Sequence, residues 1–169
     1  MATARLKAIV AIAYCLLALP AAAGGAPVST DTVREAMAVV EVLLAKQQVD
    51  VRGYAGTAPP SVERVSASHE YLQGNDGGYV DGRVYLNDEA MADCRRLTLI
   101  HELVHDATVK HRLFAEVPNA KIRNVLEALA DIVTAAAAED PYLPGCVPKR
   151  RILLGAADLA SLAAPAPRR

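Results

Sequence analysis

Two histidines and a glutamate lie close together in residues 101–105, which read H-E-L-V-H. On a helix, residues four apart lie one turn above each other, so His101 and His105 can present their imidazoles to one point. Two imidazole nitrogens at this spacing suit a zinc ion, and Glu102 projects beside them, where it can take a proton from water. The motif therefore predicts a catalytic zinc site with Glu102 as its general base.

A catalytic zinc site needs a third protein ligand, with the fourth position left open. Glu127 is the first candidate, because it lies 22 residues after His105 on the next strongly helical segment. Asp131 follows one helical turn later on the same face, and we expect it to accept the outer N–H of a ligand histidine. The predicted ligands are thus His101, His105 and Glu127, with Asp131 behind them.

His111 is an alternative third ligand, since it lies ten residues after His101, as in the pattern H-E-x-x-H-x-x-G-x-x-H. That pattern needs a glycine to break the helix, but Thr108 occupies the position. A continued helix would turn His111 about 80° away from His101. No methionine follows His111, so the Met-turn that accompanies the pattern is missing as well.

Hydrophobic periodicity places both parts of this site on helices. A buried helix is expected to carry the motif and end near residue 110, and a second is expected from about residue 119 to 138. A first helix, capped by Ser29, is expected at about 31–48. The apolar positions of the two site helices are Leu97, Ile100, Leu103, Val104, Ala107, Ile122, Val125, Leu126, Leu129, Ile132 and Val133. Asn87 and Asp88 could cap the motif helix.

A β-hairpin is expected just before the motif helix. Residues 79–80 and 83–86 are rich in β-branched and aromatic side chains, and Asp81 and Gly82 between them suit a tight turn. If the arm 83–86 is an edge strand, an extended peptide could pair with it. The elements together predict an α+β fold, mostly helical, with a small antiparallel hairpin or sheet beside the motif helix.

The segment before the hairpin gives weaker signals. Val62 and Val65 indicate a short strand, and residues 68–73 indicate one or two helical turns. Gly77 and Gly78 are expected to free the chain to turn again.

Length and composition are typical of one globular domain, with 169 residues, 53% hydrophobic and 22% charged. We expect a spacer at 24–30, a single domain at 31–148 and a tail at 149–169, with at most a short helix near 156–163. A net charge of -1 gives no electrostatic reason to expect nucleic acid as a partner, and the basic residues at 149–151 are interpreted as a solvated loop. The oligomeric state stays open.

The first 23 residues have the pattern of a signal peptide. Arg5 and Lys7 precede an apolar stretch at 8–19, and three alanines at 21–23 offer a cleavage site. Cleavage predicts a secreted or periplasmic protein with no stable membrane insertion, an uncleaved anchor being the alternative. The mature chain would carry 16 basic residues against 19 acidic ones.

Export also bears on the cysteines. Loss of Cys15 would leave Cys94 and Cys146, an even number in an oxidising compartment, which favours one disulfide. The bridge would close a loop of about 50 residues around every predicted ligand and contribute about 4 kcal/mol.

These residues resemble the gluzincin branch of the zincin metallopeptidases, and in particular its small, minimal, thermolysin-like members. In that family the H-E-x-x-H helix is followed some twenty to thirty residues later by a second helix with E-x-x-x-D, and an edge strand upstream borders the substrate cleft. Here the match runs from the hairpin to Glu127 and Asp131, roughly a third of the chain. Asp106 departs from it, since the family usually has an uncharged residue there.

The resemblance implies a zinc metallopeptidase that hydrolyses peptides or proteins, with Zn²⁺ as its cofactor. Glu102 would take a proton from water and pass it to the leaving amine. An oxyanion-stabilising group is also expected, and the candidates by residue type are Tyr71, Tyr79, Tyr85, Tyr142 and His69. Two alternatives stay open: a catalytically inactive zincin-fold binding protein, and a zinc amidase that acts on another amide, such as a cell-wall link.

Overall fold

The computed structural model describes residues 27–115 and 119–138. The predicted signal peptide with Cys15, and Tyr142, Cys146, the basic cluster and the predicted tail, lie outside them. Within the described residues, three helices and three strands follow one another, with a 3₁₀ turn at Tyr54–Gly56. They are α1 (Thr30–Lys46), β1 (Ser61–Val65), β2 (Gly77–Val80), β3 (Arg83–Asn87), α2 (Ala92–Lys110) and α3 (Asn119–Ala137). The predicted α+β class is confirmed.

α1 and α3 agree with the sequence prediction to within two residues at each end. α1 begins after Ser29, whose Oγ accepts a hydrogen bond from the backbone N–H of Thr32 at 3.2 Å. α2 ends at Lys110, as expected. The capping prediction for α2 is wrong, because this helix begins after Met91, whose side chain makes no capping hydrogen bond. Asn87 instead accepts a hydrogen bond from the backbone N–H of Glu89.

The sheet has the order β1-β3-β2 and is mixed. β2 and β3 form the predicted antiparallel hairpin, and Asp81 and Gly82 turn it with φ of 49° and 78°. β1 pairs with β3 in parallel, so the predicted strand at residues 62–65 is confirmed, whereas a purely antiparallel sheet is not. Residues 83–86 are therefore central, and the prediction that they form the edge is wrong. The edge strand of this hairpin is β2.

The chain that leads into β2 differs from expectation. Residues 68–73 form successive hydrogen-bonded turns rather than a helix, since the N–H of Leu72 donates to the carbonyl of His69 and that of Asn75 to the carbonyl of Leu72. Gly77 and Gly78 do not make a turn but begin β2.

Helix α2 lies at the centre of the fold and contacts α1, α3, β2 and β3. Its apolar positions from Leu97 to Ala107 are at most 2% exposed, and burial of each leucine or isoleucine contributes about 1.5–3 kcal/mol. The core side chains with the least exposure include Met37, Leu44, Val84, Leu86, Leu97, Leu99, Leu103 and Leu129. This packing fixes α2 and α3 side by side, which is what brings their polar residues together. Among the described residues, no helix is both long and apolar enough to cross a bilayer.

Candidate metal centre

Three predicted ligands converge between α2 and α3. The Nε2 atoms of His101 and His105 lie 3.3 Å apart, as expected for residues one helical turn apart that point to the same place. Glu127 on α3 completes the group: its Oε2 lies 3.4 Å from Nε2 of His101, and its Oε1 lies 3.8 Å from Nε2 of His105. The structure therefore brings together His101, His105 and Glu127, as predicted.

The donor groups lie close enough together to share a small cation. Zinc–nitrogen and zinc–oxygen bonds of about 2.0–2.1 Å place neighbouring ligand atoms about 3.3–3.4 Å apart around a tetrahedron. The two Nε2 atoms are 3.3 Å apart, Oε2 of Glu127 is 3.4 Å from that of His101, and Oε1 is 3.8 Å from that of His105. Two imidazoles and one carboxylate are also a donor set of the kind found at catalytic zinc sites. The residues present therefore fit a small divalent cation such as zinc.

Asp131 lies behind one of the imidazoles. Its Oδ1 is 3.4 Å from Nδ1 of His101, on the side of the ring away from Glu127, and the carboxylate is buried. A proton on Nδ1 directed at Asp131 leaves the lone pair of Nε2 for a metal. The sequence predicted such a contact for Asp131, and the histidine that it approaches is His101.

The electrostatics of the cluster depend on burial and on mutual charge. Burial raises the pKa of Glu102 to about 7, although the charge of His101 lowers it and that of Glu127 raises it. Burial lowers the pKa of His105 to about 4, with the charge of His101 acting in the same direction. Burial also acts to lower the pKa of His101, but the hydrogen bond to Glu127 and nearby carboxylate charges outweigh it and raise the pKa. A divalent cation among these groups would favour charged carboxylates and neutral imidazoles.

The ligands open onto a cleft of about 690 Å³. One wall is β2 with the turns that precede it, and the opposite wall is α3. Both polar and apolar side chains line it, so the cleft can hold a chain with mixed side chains. Its lining includes Tyr71, Asp76, Gly77, Tyr79, Val80, Leu97, Thr98, His101, Glu102, His105, Val109, Arg123, Leu126, Glu127 and Asp131.

Gly77 lets β2 pass directly over the segment of α2 that contains Thr98 and Glu102. A β-carbon built on Gly77 would lie 2.3 Å from Cγ2 of Thr98 and 2.9 Å from Oε1 of Glu102. Neither distance leaves room for a side chain. The glycine therefore keeps the edge strand against Glu102, a role that the sequence did not reveal.

Replacing Gly77 by Ala should lower the free energy of unfolding by about 1–3 kcal/mol, because the added methyl group overpacks this contact. Adding Thr98→Ser, which removes Cγ2 and keeps the hydroxyl, should restore part of the loss. Gly56→Ala is the matched control, since a β-carbon there meets nothing within 4 Å. Urea denaturation gives the free energy of unfolding of the wild type and of these three variants. Equal stability of the Gly77 and Gly56 variants would contradict the close approach.

Asp106, the departure from the family pattern, is at the centre of a buried polar network. Its Oδ2 accepts hydrogen bonds from the hydroxyl of Tyr54 at 2.8 Å and from Nζ of Lys110 at 2.7 Å, and its Oδ1 accepts from the hydroxyl of Tyr79 at 3.2 Å. Burial and the charge of Asp106 raise the pKa of Tyr54, and raise that of Tyr79 to about 12, so both phenols stay protonated donors. The network ties β2, through Tyr79, to α2.

The alternative third ligand lies elsewhere. His111 is the C-cap residue of α2, and its ring makes an edge contact with Tyr54, with the two centroids 6.2 Å apart. It does not line the cleft. The continuous helix through Thr108 accounts for this, as the missing glycine predicted.

Of the oxyanion candidates within the described residues, Tyr71 and Tyr79 line the cleft. Tyr85 is buried, and neither Tyr85 nor His69, whose rings stack with 5.3 Å between centroids, lines the cleft. Since the hydroxyl of Tyr79 donates to Asp106, Tyr71 is the better placed of the two. Cys94 is buried near the start of α2, and because Cys146 lies outside the described residues, the disulfide stays a prediction.

Comparison with known proteins gives no assignment: no family model matches the chain, and no curated protein or solved structure is significantly similar to it. The case for a function therefore depends on the geometry of the residues themselves.

Proposed function

We propose that the chain is a zinc-dependent peptidase of the gluzincin type, with His101, His105 and Glu127 as metal ligands and Glu102 as the general base. One observation carries the proposal: the Nε2 atoms of His101 and His105 lie 3.3 Å apart in an open cleft, each within 3.8 Å of a carboxylate oxygen of Glu127, with Glu102 beside them. A bound zinc ion supplies Lewis acidity, which acidifies water and polarises a carbonyl oxygen.

Two carboxylates of the chain, Glu102 and Asp131, have the other roles in the reaction. Glu102 accepts the proton of the attacking water and returns it to the leaving amine, so that amine departs neutral. The buried position of Glu102, 7% exposed, shields this transfer from bulk solvent. Asp131 holds the imidazole of His101 in one tautomer. These roles are those of metal-assisted amide hydrolysis.

The edge strand supports a peptide as the substrate. Within the described residues β2 pairs with β3 on one side, and its other side lines the cleft beside His101 and Glu102. Backbone N–H and C=O groups along such an edge can pair with an extended peptide and hold it across the site. Peptide bonds are therefore better supported as substrates than small amides without a backbone.

Metal analysis after dialysis tests the site. The wild-type protein should retain one zinc ion per chain, and Glu127→Ala should lose most of it, because two imidazoles alone do not complete the site. His111→Ala, which removes a histidine of the same helix outside the cleft, is the matched control and should keep its zinc. Hydrolysis of casein should stop with a chelator and return with added zinc.

If His111→Ala lost its zinc and Glu127→Ala kept it, the third ligand would be His111. Full zinc in both variants, or casein hydrolysis that a chelator does not affect, would rule out the proposed centre.

A further inference from the structure

Arg123 is the one lysine or arginine that lines the cleft among the residues that the structure describes. The lining also carries four carboxyl groups, those of Asp76, Glu102, Glu127 and Asp131. A guanidinium in such surroundings attracts the anionic groups that the neighbouring carboxylates repel. The charge pattern therefore singles out Arg123 as a contact for an anionic part of a substrate.

Helix α3 places Arg123 outward of the proposed metal ligand. Asp131, Glu127 and Arg123 follow at intervals of four residues, so each step is about 6 Å along the axis and about 40° around it, and all three residues line the cleft. Exposure increases along this row, from buried Asp131 through partly buried Glu127 to exposed Arg123. Arg123 is thus the solvent-exposed end of the row, one helical turn from the carboxylate that would bind zinc.

We propose that Arg123 binds a carboxylate of the substrate and so selects peptides with a carboxylate close to the bond to be cleaved. The inference rests on the proposed peptidase function and names its substrate class. The planar guanidinium can bind a carboxylate through two parallel hydrogen bonds, which fixes orientation as well as affinity. Two sources share this chemistry: the C-terminal carboxylate of a peptide, and the side chain of an aspartate or glutamate.

The test measures binding to a protein that cannot cut. A peptide that the wild-type enzyme cleaves is first identified by mass spectrometry in a tryptic digest of casein. It is then synthesised with a free or an amidated C-terminus, and with glutamate or glutamine next to the cleaved bond, each form with a fluorescent label. Fluorescence anisotropy gives the Kd of each form for the zinc-loaded Glu102→Gln protein.

Loss of the recognised carboxylate should weaken binding about tenfold, and adding Arg123→Gln should reduce that difference to less than about twofold. Arg123→Lys should retain part of it, because the charge remains but the paired donors do not. Arg34→Gln, which removes an exposed arginine from α1, is the matched control and should retain the full difference. If amidation of the C-terminus weakens binding, the recognised carboxylate is that of the terminus. If replacement of glutamate by glutamine weakens binding, it is that of the side chain.

The inference is overturned if neither carboxylate affects binding, if the difference persists in Arg123→Gln, or if Arg34→Gln abolishes it equally. Failure of the peptidase proposal gives a different result, because the wild-type protein then cleaves no peptide of the digest. That result overturns the inference as well.

Discussion

The Glu102→Gln variant should lose about 10²–10⁴-fold in kcat/KM for peptide hydrolysis and keep its zinc. Glutamine has the shape of glutamate and fits the space beneath Gly77, but its amide cannot accept a proton from water. Stability should not fall, because burial already disfavours the charge of Glu102, as the rise of its pKa to about 7 indicates. Steady-state kinetics measures kcat/KM, metal analysis the zinc content and urea denaturation the stability. A fall in kcat/KM alone indicates that only the general base has been lost.

Glu63→Gln makes the same chemical change at an exposed position of β1 and should leave all three quantities unchanged. Normal turnover in Glu102→Gln would exclude the proposed mechanism. Loss of zinc in this variant would instead make Glu102 a ligand and leave the general base unassigned.

Replacing Asp106 by Ala should lower the free energy of unfolding by about 3 kcal/mol. The carboxylate is 1% exposed, and its removal leaves the ammonium of Lys110 without its counter-charge and the hydroxyl of Tyr79 without its acceptor. Removing one partner of a buried pair is costly, because the other stays desolvated. Urea denaturation of the two proteins measures the difference.

Asp50→Ala is the control, because it removes the carboxylate of an ion pair that has the same length but is exposed to solvent. Asp50 and Arg52 also approach to 2.7 Å, but their side chains are 61% and 88% exposed, so solvent screens the pair and stability should hardly change. Adding Lys110→Met to Asp106→Ala should recover part of the loss, since no stranded charge remains. An equal effect of the Asp50 and Asp106 variants would show that the network contributes little.

The sequence predicted the local elements well because each follows from a short-range rule. The apolar periodicity of α2 and α3 comes from residues three and four apart, and the positive φ angles of Asp81 and Gly82 follow from the turn chemistry of that dipeptide. The two histidines depend on the same short range, since one helical turn is enough to align His101 with His105.

Predictions that depended on long-range contacts were less successful. The parallel pairing of β1 with β3 joins residues more than twenty positions apart, and it moved residues 83–86 from the edge to the centre of the sheet. The capping prediction for Asn87 failed because tight turns between β3 and α2 delay the start of the helix to Ala92.

The sequence by itself therefore determined the class of the fold and the helix that carries the motif. Only the tertiary structure decided that Glu127, and not His111, lies beside the two imidazoles, that Asp131 lies behind His101, and that Arg123 shares their cleft. The physical reason is that a helical period fixes which side chains share a face, whereas the packing of α2 against α3 decides which faces meet.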